Sequence, residues 1–316
     1  MEALAGIVVA DFTRYLPGPF ASRELLRRGA RVVRVETPEG DPLRDVAPGW
    51  DAALNGGKES VVWDLERDPD LGRHLCTHAD VVLEGFRPGV AEKLGIAAAD
   101  VPEKVVYCSI TGFGPGDRRA GHDLNYLGWA GVLADTAPAL PPMPIADLAG
   151  GALYAVVEIL AALLEREHTG RGRHITVSMT KNAHNFVAHR LRGEPERTLT
   201  GGLACYGIYE TADARHLTVA ALETKFWRRL CELVARADLI DRHYDADQHD
   251  LATELANVFR TRPLAAWLEL FEGEDVMAGP VATLAEASAW LGADEVAAPV
   301  PTLGEHTDAW RASFEG

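Results

Sequence analysis

Residues 105–116 read Val105-Val106-Tyr107-Cys108-Ser109-Ile110-Thr111-Gly112-Phe113-Gly114-Pro115-Gly116. A largely apolar run without polar alternation suits a strand buried on both faces, as in a parallel sheet covered by helices on each side. The Gly-rich stretch behind it is a loop. Working outward, the same unit recurs. Residues 7–11, 31–36, 60–65 and 81–84 read as strands. Residues 20–28, stopped by Gly29, and 70–78 read as helices between them. Strands alternating with helices predict βαβ units. Downstream, a long helix from about Gly150 to His168 is stopped by Thr169-Gly170-Arg171-Gly172, where glycine supplies a left-handed cap. A strand over 174–179 and a helix to about Arg192 complete this part. Residues 193–203 read as a linker. Beyond it, strands over 205–210 and 216–222 and helices around 225–236, 250–260 and 263–272 form a second, smaller sheet-and-helix body. Residues 294–316 carry few signals. The expected class is α/β, a large parallel-sheet domain over 1–192 with a return over 290–316, and a smaller α+β domain over 204–289.

Composition sets the outer limits. Of 316 residues, 47% are hydrophobic and 25% charged, the balance of a folded chain. Basic residues number 31 and acidic ones 47, a formal charge of −16. That field repels nucleic acid and anionic membranes, so neither is expected as a partner. An anionic ligand needs a locally basic site. Cys76, Cys108, Cys205 and Cys231 are far apart and form no Cys-x-x-Cys pair. The first residues lack a basic, apolar leader, and Glu158 interrupts the most apolar helix. A cytoplasmic protein with reduced thiols is expected.

Several residues have the chemistry of a site. Asp147, in Ile145-Ala146-Asp147-Leu148-Ala149-Gly150-Gly151, opens a helix. It is either a plain N-cap or a functional carboxylate beside first-turn N–H groups that favour negative charge. His122, in Gly121-His122-Asp123-Leu124-Asn125-Tyr126, is of the residue type that carries protons near neutral pH. Glu223 follows an apolar strand and precedes a helix. Arg14, Arg34, Lys58 and Arg87 lie near strand ends or glycines, and open α/β sheets bind ligands at the carboxyl rim. The turn Gly112–Gly114 is either a ligand cradle or a tight turn, and it does not fit the dinucleotide pattern. His74 and His78 are four residues apart but lack acidic or cysteine partners, so no metal is assigned. There is no Gly-x-Ser-x-Gly elbow and no Walker loop.

An ordered series of motifs runs along the chain: Leu4-Ala5-Gly6-Ile7-Val8-Val9, Pro17-Gly18-Pro19-Phe20-Ala21, the stretch from Gly29 through Glu36, Gly57-Lys58 with Ser60 and Asp64-Leu65, and Phe86-Arg87-Pro88-Gly89-Val90. It continues through Thr111-Gly112-Phe113-Gly114, Ala146-Asp147, Gly150-Gly151, Thr169-Gly170-Arg171-Gly172 and Gly304-Glu305-His306-Thr307. By these motifs and their order the chain resembles the class III CoA-transferase (CaiB/BaiF) family. Gly121-His122-Asp123 and Glu223-Thr224-Lys225-Phe226 look like the α-methylacyl-CoA racemase branch.

The resemblance implies a Rossmann-like large domain, an interlocked homodimer and an acyl-CoA substrate. In racemase-like members, the residues matching His122 and Asp147 are two bases that move the α-proton of the thioester through an enolate. Backbone N–H groups at the helix start near Asp147 would stabilise that enolate. Glu223 would orient His122 across chains. Arg34, Lys58, Arg87, Gly112, Gly114, Gly121 and Tyr126 are the candidates to hold CoA, and no cofactor beyond the CoA moiety is implied. Two other readings stand beside this one: a CoA transferase in which Asp147 is the nucleophile, and a non-catalytic acyl-CoA binder. The chain departs from the family at Thr37, at Glu59 and over Leu199-Thr200-Gly201-Gly202-Leu203-Ala204, positions that bear on CoA affinity.

Overall fold

The computed structural model describes residues 2–190, 198–292 and 298–314. The chain divides into two compact units, Met1–Ala188 with Val296–Gly316, and His189–Glu295. In chain order the first unit has β1 (Val8–Asp11), α1 (Pro17–Leu26), β2 (Arg31–Glu36), α2 (Leu43–Val46), α3 (Pro48–Asn55), β3 (Glu59–Val62), α4 (Leu71–His78), β4 (Val81–Glu84) and α5 (Val90–Leu94). It goes on with β5 (Val106–Thr111), α6 (Asp123–Trp129), a π-helical stretch Ala146–Leu153 that runs into α7 (Tyr154–Thr169), β6 (His174–Ser178) and α8 (Met179–Asn185). The helix expected through Arg192 stops at Asn185; Ala188–Arg190 is one 3-10 turn, and 191–192 lie outside the described residues.

Six strands pair in the order β3-β2-β1-β4-β5-β6, all parallel. This is the doubly wound order of Rossmann-like folds, and it reverses between β1 and β4. The side chains alternate between two cores. Val32, Val81, Leu83, Val106 and Cys108 pack with Leu25 of α1, Ile159 of α7 and Ala183 of α8. Val33, Val82 and Tyr107 pack on the other face with Leu71 and Leu75 of α4 and with Trp310. Each fully buried Val or Leu contributes about 1.5–3 kcal/mol. Burial on both faces is why β5 reads as an unbroken apolar run. By length and composition the helical run Ala146–Thr169 could cross a bilayer. Its Ala155, Ile159 and Ala162 are instead packed in the first core.

The second unit is α+β. Strands β7 (Tyr206–Glu210), β8 (His216–Ala220) and β9 (Ala278–Pro280) form an antiparallel sheet in that order. Around it are α9 (Thr224–Leu233), α10 (Gln248–Phe259), α11 (Leu264–Phe271) and α12 (Leu284–Leu291). Leu217, Val219, Trp227, Leu230, Leu255, Phe259 and Trp267 form its core. Of the expected linker, 193–197 lie outside the described residues and 198–203 are turns and bends.

The chain end returns to the first unit with α13 (Thr307–Phe314) and covers the β3 edge. The Val62 N–H donates to Thr307 Oγ1 at 3.0 Å, and the Ser60 N–H donates to His306 Nδ1 at 3.3 Å. The His306 N–H donates to the Ser60 carbonyl at 2.9 Å, and the Gly304 N–H to Ser60 Oγ at 2.9 Å. An exposed edge strand leaves a row of unpaired backbone groups, and Gly304-Glu305-His306-Thr307 supplies partners for them.

Two glycines in Thr169-Gly170-Arg171-Gly172 have separate reasons. Gly170 caps α7 with φ of 70°. A Cβ on Gly172 would lie 2.1 Å from the Val105 carbonyl oxygen, and its N–H donates to Glu103 O at 2.7 Å. Gly172→Ala is therefore expected to cost about 2 kcal/mol or more in urea unfolding, because it forces apart the starts of β5 and β6. Gly49→Ala, where a Cβ meets nothing within 4 Å, should stay within about 0.5 kcal/mol of wild type.

Candidate active site

Where the strand order reverses, the carboxyl ends of β1, β4 and β5 open into a cavity of about 590 Å³. Open α/β sheets bind ligands at this position. Thr13, Arg14 and Tyr15 line it from the loop after β1, with Pro17 and Gly18 at the start of α1. Gly85, Phe86 and Arg87 come from the loop after β4. Gly121, His122, Tyr126, Asp147 and Met179 close the far side.

The β1–α1 corner is held from below. The buried Asp11 carboxylate accepts from the Thr13 N–H at 3.0 Å and from the hydroxyls of Thr13 and Ser22. A Cβ on Gly18 would lie 2.0 Å from Thr13 Oγ1, so only glycine lets the helix start this close. Tyr15 takes φ of +67°, a left-handed conformation costing an aromatic residue about 1 kcal/mol or more, and it stands at the cavity lip.

Lys58 lies beneath this corner and is 3% exposed. Its ammonium donates to Ser22 Oγ and Asn55 Oδ1 at 2.7 Å each and to Pro19 O at 3.0 Å, and it sits 3.5 Å from Asp11. Burial pulls its pKa down to about 8, against the opposing pull of Asp11. Arg34 is 1% exposed and pairs with Asp51 at 2.8 Å, Asp41 at 3.3 Å and Glu36 at 3.5 Å. These placements correct the expectation that Arg34 and Lys58 hold CoA. Both are buried cations already matched by buried carboxylates, and neither lines the cavity. Arg87 does line it, and so does Arg14, a cation at the end of β1 that was left out of the expected CoA set.

Gly112 and Gly121 make room for Tyr126. A Cβ on either would lie 2.5 Å or 2.8 Å from its ring. The Tyr126 hydroxyl donates to Gly121 O at 2.5 Å, and its ring meets Phe113 edge-on at 5.1 Å. Arg119 stacks over both Phe113 and Trp129, at 4.1 and 4.7 Å from their ring centres. Gly121 and Tyr126 line the cavity; Gly112 and Gly114 do not. Gly112 has a packing reason, and Gly114 is in a turn with φ of +125°.

His122 stands at the N-cap of α6 in extended conformation, and its N–H donates to Asn125 Oδ1 at 3.0 Å. Its side chain is exposed at the cavity. Asp147 occupies the second position of the π-helical stretch, whose N-cap is Ile145. The capping carboxylate belongs to another segment. Asp123 Oδ1 accepts from the Asp147 N–H at 2.9 Å. Asp147 is therefore not the N-cap of this stretch.

Two of the amides expected as enolate donors already have partners. The Asp147 amide is occupied by Asp123, and the Leu148 N–H donates to Pro144 O at 3.1 Å. Burial and then the charge of Asp123 raise the Asp147 pKa to about 6, while His122 pulls it down. Proton transfer works best with a group whose pKa lies near the working pH.

Glu223 belongs to the second unit, exposed at the N-cap of α9. The two carbonyls before it are held: His243 Nε2 lies 2.9 Å from Ala221 O, and the Tyr244 hydroxyl donates to Leu222 O. All four cysteines are buried, and burial raises each thiol pKa, so none offers a ready thiolate.

A doubly wound sheet with a carboxylate and a histidine at its switch point defines an α/β enzyme site. The chain belongs to CoA-transferase family III (CaiB/BaiF), whose family model matches residues 4–308. It is 33% identical over 308 residues to the alpha-methylacyl-CoA racemase of Homo sapiens, covering 90% of this chain and 79% of that one. It is 30% identical over 318 residues to the succinyl-CoA:glutarate CoA-transferase of Homo sapiens, covering 89% and 72%. The crystal structure of Rv3272 from M. tuberculosis superposes with a TM-score of 0.85 at 27% identity, covering 98% of this chain and 99% of that one. This chain is thus an enzyme of a family whose similar members include both racemases and CoA-transferases.

The raised proton affinity of Asp147 has a stability consequence. Its folded pKa of about 6 exceeds the ordinary carboxylate value, so the native state binds the proton more tightly than the unfolded chain. The native state is therefore favoured below about pH 4 and loses that advantage as pH rises through 6. Asp147→Asn removes this loss. The variant should unfold at higher denaturant than wild type at pH 8, by up to about 3 kcal/mol, and the gain should shrink toward zero near pH 4.

Proposed function

We propose that the protein interconverts (R)- and (S)-2-methylacyl-CoA thioesters by 1,1-proton transfer. The observation that carries this reading is the pairing of two proton carriers in one cavity, with the Asp147 carboxyl freed from capping and raised to about 6. The α-proton of an acyl-CoA thioester is weakly acidic. His122 takes it from the (S) substrate while Asp147 returns one to the other face, and the roles exchange for the (R) substrate. Negative charge develops on the thioester oxygen, giving an enolate. Arg14 and Arg87, exposed at the cavity, are the cations available to the CoA phosphates. The CoA moiety travels with the substrate, and no further cofactor takes part. Glu223 enters from a second copy in an interlocked homodimer and orients His122.

A second reading has its own support. The similarity to succinyl-CoA:glutarate CoA-transferase, together with a carboxyl free of its helix cap, also suits acyl transfer through a mixed anhydride on Asp147.

One experiment separates the two. Incubation with a 2-methylacyl-CoA in D2O is expected to place deuterium at the α-carbon. His122→Ala and Asp147→Asn should each slow exchange by about 100-fold or more. Absent exchange with CoA bound, together with hydroxylamine trapping of Asp147 after acyl-CoA addition, would replace this reading with the transferase. The revised set of CoA cations is checked alongside. Arg87→Ala should raise the acyl-CoA Kd about 5- to 30-fold at unchanged Tm. Lys58→Met should instead lower stability by about 3–5 kcal/mol, because it leaves Asp11 buried and unpaired.

A further inference from the structure

We infer that Asp123 is a positioning residue for Asp147: its carboxylate holds the Asp147 backbone amide and thereby fixes the Asp147 carboxyl at the cavity that His122 also lines. The inference rests on the proposed role of Asp147 as a base. The start of a helix exposes N–H groups that need acceptors, and the usual acceptor is the N-cap side chain. Here the N-cap is Ile145, which has none. Asp123 reaches across 24 residues of chain to do that work, with Oδ1 2.9 Å from the Asp147 nitrogen. Asp123 is itself the first residue of α6, directly after His122. One side chain therefore joins the two segments that carry the bases. Had Asp147 capped its own helix, its oxygens would face backbone amides. With Asp123 as acceptor they are released from that task, and Asp147 lines the cavity.

The arrangement also has an electrostatic side. Burial pushes the Asp123 carboxyl up, and the Asp147 backbone amide it accepts from pulls it back. Its charge in turn favours the protonated form of Asp147. Other groups line the same cavity as Asp147. His122 comes from the N-cap of α6 and Tyr126 from α6, Arg14 and Tyr15 from the loop after β1, and Arg87 from the loop after β4. The start of α1 brings Pro17 and Gly18, and β5 brings Ile110, none of them ionisable. α8 carries Lys181 and His184, and the His184 ring is turned to the Ala130 carbonyl at 2.9 Å.

Asp123→Asn keeps an oxygen acceptor and removes the charge, whereas Asp123→Ala removes both. The Asp147 carboxyl is followed by carbon-13 NMR against pH in the full-length protein without substrate, with Asp147→Asn assigning its signal. Its midpoint should fall by about one unit in Asp123→Asn. Deuterium exchange into a 2-methylacyl-CoA is measured in parallel across pH. Asp123→Ala should lose about 100-fold in rate, and Asp123→Asn should recover at least about 10-fold of that, with its acid limb moved to lower pH. An Asp147 midpoint unmoved in Asp123→Asn, or Asp123→Ala exchanging at the wild-type rate and pH profile, overturns the inference. The NMR readout stands apart from the reaction. If wild type exchanges no deuterium but the midpoint still falls, the racemase reading fails and the coupling of Asp123 to Asp147 holds.

Discussion

The Lys58 ammonium under the β1–α1 corner is the contact on which the cavity depends. It holds Asp11, Ser22, Asn55 and the Pro19 carbonyl at one point, and Asp11 in turn holds Thr13. The loop that carries Arg14 and Tyr15 into the cavity starts from that point. Taking a cation out of water is unfavourable by several kcal/mol, and it persists here because a carboxylate and three oxygen acceptors surround it. The same logic spreads along the sheet edge. Arg34 gathers Glu36, Asp41 and Asp51, while Arg44 grips Glu36 and reaches Pro301 O at 3.0 Å. Buried charge thus ties the β2 and β3 ends to the chain's C-terminal return.

This network explains where sequence reading works and where it stops. The strands Arg31–Glu36 and Val81–Glu84 match their expected bounds, because burial on both faces leaves apolar runs with clear ends. Short helices such as Leu43–Val46 and Pro48–Asn55 leave no periodic stripe, and α13 docks partly through single polar contacts of Thr307 and His306 that no spacing pattern records. A sequence gives the type of a cation but not its burial. Arg34 and Lys58 therefore looked equivalent to Arg87, although their side chains face opposite environments. The ordered motifs led to His122 and Asp147. Asp123 was written beside His122 in the same motif, yet its contact with a backbone 24 residues away becomes visible only in three dimensions.

The cavity wall also carries local costs in stability. A carboxyl at a helix start is most stable when it accepts its own amides, which lowers its pKa. Asp147 forgoes that arrangement and is raised to about 6. Tyr15, in left-handed backbone at the cavity lip, carries a second local cost. Both costs sit on the cavity wall, where strain and unmatched charge are most often retained for function.

Freeing Asp147 serves either family chemistry, since a nucleophile and a base both need an uncommitted oxygen. The two differ in what else they require. Acyl transfer through a carboxylate proceeds with Asp147 alone and is favoured by an ionised group. Exchange of an α-proton between two faces needs a second proton carrier, and each partner works best when its proton affinity lies near the working pH. Burial and a neighbouring carboxylate move Asp147 toward that range, and His122 lines the same cavity. In the proposed racemase reading, the raised proton affinity of Asp147 and the histidine at the same cavity both serve proton movement, whereas acyl transfer would draw on the Asp147 oxygen alone.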